Sequence, residues 1–87
     1  MKVLVLYRPN SEHARSIEEF LHEFGRRNPS DRIETIDIDT RDGTATATLY
    51  DVMAYPAVLA LGDNGRELKR WVGEEMPLLD ELAYYTK

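Results

Sequence analysis

The chain has 87 residues, of which 43% are hydrophobic and 31% charged, with a formal net charge of -5 and no cysteine. Residues 1–87 therefore read as a single folded domain, near the lower end of what buries its own core. The negative balance argues against nucleic acid or an anionic membrane surface as partner, and without cysteine there is no disulfide, thiolate catalyst or thiolate metal site.

Lys2–Tyr7 is a continuous apolar run, the pattern of a strand buried on both faces. Its core, Val3–Tyr7, is too short for a secretory leader, and no stretch approaches the ~18 apolar residues of a membrane span, so the expected location is the cytoplasm. Arg8-Pro9-Asn10 breaks the run, and Asn10 or Ser11 is placed to cap a helix. The recurrence of Ala14, Ile17, Leu21 and Phe24 predicts that helix from about Ser11 to Phe24, ending at Gly25 or at Asn28-Pro29. Arg32–Asp39 reads as the next strand, with Ile36 and Ile38 on one face and Ile33 and Thr35 on the other. Thr44–Ala54 reads as a short helix burying Ala45, Leu49, Val52 and Met53. Its three threonines make it a poor helix former, so packing must hold it. Ala57–Leu61 is a further strand, entered through Tyr55-Pro56. Gly62-Asp63-Asn64-Gly65 is a hairpin turn, Glu67–Val72 the returning antiparallel strand, and Gly73 its stop. Met76–Tyr85 closes the chain as a helix with Leu78, Leu79, Leu82 and Ala83 available for burial. The order is β-α-β-α-β-β-α, and helical crossovers between the first three strands imply at least two parallel pairings.

Several side chains invite a chemical reading. His13 and His22 lie nine residues apart on roughly opposite flanks of one helix and cannot share a metal ion. Asp37, Asp39 and Asp42 fail calcium-loop spacing, because Arg41 and Thr48 stand where oxygen ligands belong. No metal and no cofactor is expected. Lys69, Arg70 and Arg66 are close enough in sequence for a local basic patch, but Glu67, Glu74 and Glu75 surround them. Trp71 is expected to pack on the sheet or the last helix, and Tyr84 and Tyr85 sit at the chain end.

Three stretches carry a family resemblance: Ile36–Asp39 followed by Ala45, Leu49-Tyr50-Asp51-Val52; Tyr55-Pro56-Ala57-Val58; and Asp63-Asn64-Gly65-Arg66-Glu67 leading to Trp71-Val72-Gly73. In this order they resemble the thioredoxin and glutaredoxin family over essentially the whole chain. The extra N-terminal strand and helix of full thioredoxins are lacking. The opening Pro9-Asn10-Ser11 also resembles clock-type KaiB proteins, whose thioredoxin-like core is free of cysteine, although the Asn64-Gly65 hairpin and the closing helix fit ordinary thioredoxins better. The resemblance implies an α/β, thioredoxin-like fold: a four-stranded mixed sheet flanked by three helices, with Pro56 in the cis form. It also implies that the redox pair has gone, since Ser11 and Ala14 stand at the cysteine positions and Val5 replaces the supporting buried carboxylate.

Three functions follow from that resemblance. The first is a non-enzymatic protein-binding module whose surface spans Arg8–His13, Tyr55-Pro56 and the Gly73-Glu74 loop, with Tyr7, Ser11, His13, Tyr55, Pro56 and Gly73 as candidate binding residues. Main-chain pairing beside Pro56 would hold a protein or peptide segment. The alternative is a small-anion or glutathione-binding protein, or a transferase-like enzyme, with Ser11 at a helix N-terminus. The third is a structural subunit whose former active-site face is solvated. The sequence leaves the oligomeric state and the partner's identity open.

Overall fold

The computed structural model describes residues 1–73 and 76–86. Lys2–Tyr7 forms strand β1, and its Val3–Leu6 are buried on both faces as the unbroken apolar run requires. Helix α1 (Ala14–Arg27), strand β2 (Glu34–Asp37), helix α2 (Arg41–Leu49), strands β3 (Ala57–Leu61) and β4 (Glu67–Val72), and helix α3 (Leu79–Tyr84) follow in that order. The sheet runs β2-β1-β3-β4.

Among the described residues only the β1–β2 pair is parallel; β1–β3 and β3–β4 are antiparallel. The expectation of two parallel pairings is therefore corrected. The cause lies in the passage from β2 to β3. Helix α2 spans about 14 Å at the standard rise per residue, starting beside Asp37 and ending where Tyr50 neighbours Lys2 and Leu61. Residues 50–56 then travel back, so β3 begins at the end of the sheet where β1 and β2 finish, with Leu6 opposite Ala57.

Alternation along the strands divides the core in two. Leu4, Leu6, Ala57, Leu59 and Leu61 pack with Ile38, Ala47 and Val52 on the α2 side. Val3, Val5 and Val58 pack with Ile17, Phe24 and Leu82 on the α1 and α3 side. Ile36 and Ile33 fall on these opposite faces as their spacing predicts.

The helix boundaries differ from the sequence reading for identifiable reasons. Helix α1 begins at Ala14 rather than Ser11, and neither Asn10 nor Ser11 caps it. The N-cap position belongs to His13, whose side chain makes no capping bond. Strand β2 is shorter than expected at both ends. It stops at Asp37, whose Oδ1 accepts the Asp39 N–H and whose carbonyl accepts the Thr40 N–H, turning the chain. Thr40 then caps α2 by accepting the Gly43 N–H at 3.0 Å, so the helix starts three residues before Thr44. It ends at Leu49, with Asp51 at φ 57°. The buried positions are consequently Gly43 and Ala47, with Val52 buried beyond the helix. Ala45 is exposed, and Leu49 and Met53 are 74% and 86% exposed, against expectation. Helix α3 starts late because Pro77 biases Met76 away from helical backbone and Leu78 is extended. Leu82 is buried, Leu79 and Ala83 pack against the core, and Leu78 is exposed.

The β3–β4 turn closes with the Gly65 N–H donating to the Gly62 carbonyl at 2.9 Å and Gly65 at φ 82°. Trp71 packs edge-on against Tyr85 of the α3 C-cap, with centroids 5.8 Å apart, and Lys69 Nζ lies over the indole at 5.3 Å.

Two outcomes follow. A Cβ on Gly43 would stand 1.9 Å from the Asp37 carbonyl oxygen. Gly43→Ala should therefore lower stability by ~2 kcal/mol in urea unfolding despite its better helix propensity, because backbone cannot yield as a side chain does. On the surface of α1, hydrogen bonds from Arg26 and Arg27 hold the Glu23 carboxyl down at about 2. A depressed folded-state value means that the stabilisation is present above the ordinary carboxylate range and is lost as pH falls toward about 2. NMR titration of the Glu23 carboxyl should give a midpoint below the ordinary value, and concentrated salt should move it back up.

Candidate functional site

The register of β1 and β3 brings two distant segments to one end of the sheet: the Arg8–His13 turn that leaves β1 and the Tyr55-Pro56 segment that enters β3. Between them lies a hollow of about 510 Å³ lined by Glu12, His13, Ser16, Ile17, Tyr55, Pro56, Gly73 and Met76. The Tyr55–Pro56 peptide bond is cis. Pro56 is buried, and its carbonyl accepts the Gly73 N–H at 2.9 Å, which ties the end of β4 to the hollow. The Tyr55 hydroxyl donates to the Val52 carbonyl at 3.3 Å, fixing the ring's tilt. Among the described residues, neither backbone group of Tyr55 has a hydrogen-bond partner.

The facing turn is closed through Arg8. Its carbonyl accepts both the Ser11 N–H at 3.1 Å and the Ser11 hydroxyl at 2.6 Å. Its N–H donates to His13 Nε2 at 3.1 Å. Its guanidinium lies 3.2 Å from Asp39 and 5.9 Å from the Tyr55 ring centroid. One residue thus links the turn, the end of β2 and the proline segment.

His13, Tyr55, Pro56 and Gly73, named from the sequence, meet in the hollow. Tyr7 and Ser11 do not line it. Tyr7 ends β1 half-buried, its ring 6.4 Å from that of His13. Ser11 precedes the helix instead of opening it, and its hydroxyl is engaged with Arg8. Ala14 is buried beneath the helix start, and Val5 lies in the core. Glu74 of the expected Gly73-Glu74 surface, with Glu75, lies outside the described residues. Sequence reasoning missed Ser16 and Met76. Ser16 is detectable, being one helical turn beyond His13, whereas Met76 is hidden by an apolar pattern that continues into the final helix, which starts only at Leu79. Among the described residues, no three His, Asp or Glu side chains converge as metal ligands, and no helix is long and apolar enough to cross a membrane.

Behind the proline segment, Arg70 of β4 donates to the Tyr50 and Asp51 carbonyls at 2.6 and 3.3 Å while paired with Glu67. It satisfies carbonyls left open at the end of α2 and fixes where residues 51–56 begin their return.

These features define an α/β domain with a mixed sheet and a cis-proline segment facing the first helix. Its architecture is that of the thioredoxin-like fold. The chain is similar to Fasciola hepatica thioredoxin at TM-score 0.76 and 22% identity, covering 98% of this chain and 79% of that one. It is similar to thioredoxin 1 of Thermosipho africanus at TM-score 0.70 and 17% identity, covering 98% and 93%. Mitochondrial thioredoxin 3 of Saccharomyces cerevisiae gives 0.69 and 19%, covering 97% and 74%. At these identities the likeness is one of fold. No protein-family model and no curated protein sequence matches the chain.

Within this fold the chain carries no thiol. Reduction of insulin by a small-molecule dithiol should proceed at the uncatalysed rate in its presence. The Ser11→Cys/Ala14→Cys double variant should recover little, because Ser11 lies off the helix and Val5 offers no proton relay.

Proposed function

We propose that this chain is a redox-inactive thioredoxin-like module that receives an extended segment of a partner protein in the hollow between the Arg8–His13 turn and Tyr55-Pro56. The observation that carries this reading is the backbone of Tyr55, unpartnered among the described residues, beside an apolar floor of Ile17, Pro56 and Met76. An extended peptide satisfies such main-chain groups by strand-like pairing and places alternate side chains into the hollow. Glu12, His13 and Ser16 supply polar groups at its margin. The net charge of -5 disfavours a nucleic-acid occupant.

The test is selection of binders from a library of random linear peptides displayed on phage, with the site mapped by amide shifts. The expected result is perturbation of Tyr55 and of Glu12–Ile17. Ser16→Trp fills the hollow from an exposed position and should weaken the selected peptide about tenfold or more, some 1.4 kcal/mol. Peptides that perturb other surfaces, or bind Ser16→Trp equally well, would overturn the reading.

A further inference from the structure

Helix α2 buries Gly43 and Ala47 against the sheet. Along its flank toward β2 runs a groove of about 440 Å³. Half-buried Ile36 and Tyr50 and exposed Leu49 give this groove an apolar surface, backed by buried Leu4 and Leu61. It shares no lining residue with the hollow beside Pro56.

Strand β2 forms the outer edge of the sheet here. The Ile38 N–H donates to the Tyr7 carbonyl at 3.2 Å. Main-chain groups alternate in direction along a strand, so Ile36 and Glu34 also turn theirs toward β1, and Thr35 and Asp37 turn theirs outward. Thr40 takes up the Asp37 carbonyl. The N–H and carbonyl of Thr35 and the N–H of Asp37 have no partner among the described residues. An open strand edge beside an apolar groove supplies both parts of strand addition: main-chain pairing for affinity and a surface for alternate side chains.

The charges on the rim select the occupant. Glu34, Asp37 and Asp42 line the groove against Lys2 alone, and Lys2 Nζ already lies 3.2 Å from Glu34. Asp37 and Asp42 stand together at the end where α2 begins. A second copy of this chain, docked through the same face, would set these acids against one another. We propose that the groove between α2 and β2 is a second docking surface, which takes an extended segment of a partner protein as an added strand on β2, with apolar side chains against Ile36 and Leu49 and a basic side chain toward Asp37 and Asp42. The occupant is set by complementarity: an acidic rim around an apolar surface matches a segment that is basic and apolar on one face.

The probe is the end-blocked synthetic peptide Lys-Thr-Val-Thr-Val-Thr-Lys, in which lysine and valine fall on one face of a strand and the order reads alike in both directions. At saturation it should slow hydrogen exchange of the outward Thr35 amide about fivefold or more, the factor of one ordinary net hydrogen bond, and leave the inward Ile36 amide as it was. Asp42→Lys and Leu49→Gln, both at exposed positions, should each weaken binding about tenfold. Glu18→Lys makes the same charge change on α1, across the sheet, and should leave binding unchanged. The peptide with glutamate in place of lysine should not bind. The proposal is overturned if the lysine peptide does not bind, if Glu18→Lys weakens it as much as Asp42→Lys does, or if Thr35 exchanges at its free rate in the complex. A free chain that sediments as a dimer and becomes monomeric in Leu49→Gln also overturns it, because the groove is then closed by a second copy.

Discussion

Leu6 sits across from Ala57 in the antiparallel pair of β1 and β3, with Val5 across from Val58. Most of what the molecule presents depends on this register. A slip of one residue would turn Val58 and Leu59 to the wrong faces and exchange the two halves of the core. It would also carry Pro56 away from the turn that follows β1. Burial of both faces of these two central strands is thus the constraint that holds the proline segment against Arg8 and His13, although nearly fifty residues separate them in the chain.

A second constraint sets the path into β3. Helix α2 lies tight on the end of β2, with only Gly43 tolerated there. It ends far from the place where β3 must begin. The chain reverses through Asp51 with positive φ, and Arg70 takes up the carbonyls exposed by that reversal. A guanidinium suits this place because its planar fork can hold two carbonyls on one side and Glu67 on the other. The outer strand thereby steadies the segment that enters its neighbour.

The strands were legible because their signals are local: Val3–Leu6 and Ala57–Leu61 are unbroken apolar runs, and Ile33, Ile36 and Ile38 declare their faces by alternation. What escaped was decided by partners far away in sequence. The direction of β3 depends on how residues 50–56 return. The end of α2 depends on Arg70, some twenty residues later. Leu49 and Met53 join a buried stripe only in a longer helix than the one that forms. Other boundaries have a visible cause in the sequence: Thr40 is a good capping residue, and Pro77 speaks against helix at Met76. In the site, His13, Tyr55, Pro56 and Gly73 were legible through the proline and the ends of neighbouring elements. The placement of Ser11 was not, because a serine beside a helix start can serve the helix or the turn before it, and here the Arg8 carbonyl takes its hydroxyl.

The Gly62–Gly65 hairpin occupies the end of the sheet opposite the hollow, next to Met1, whose amino group pairs with Asp63 at 2.6 Å. Its tip is polar and exposed and contributes nothing to either half of the core. It is therefore a natural handle: a fluorophore, an affinity tether or an inserted epitope can be mounted there with the opposite face left open.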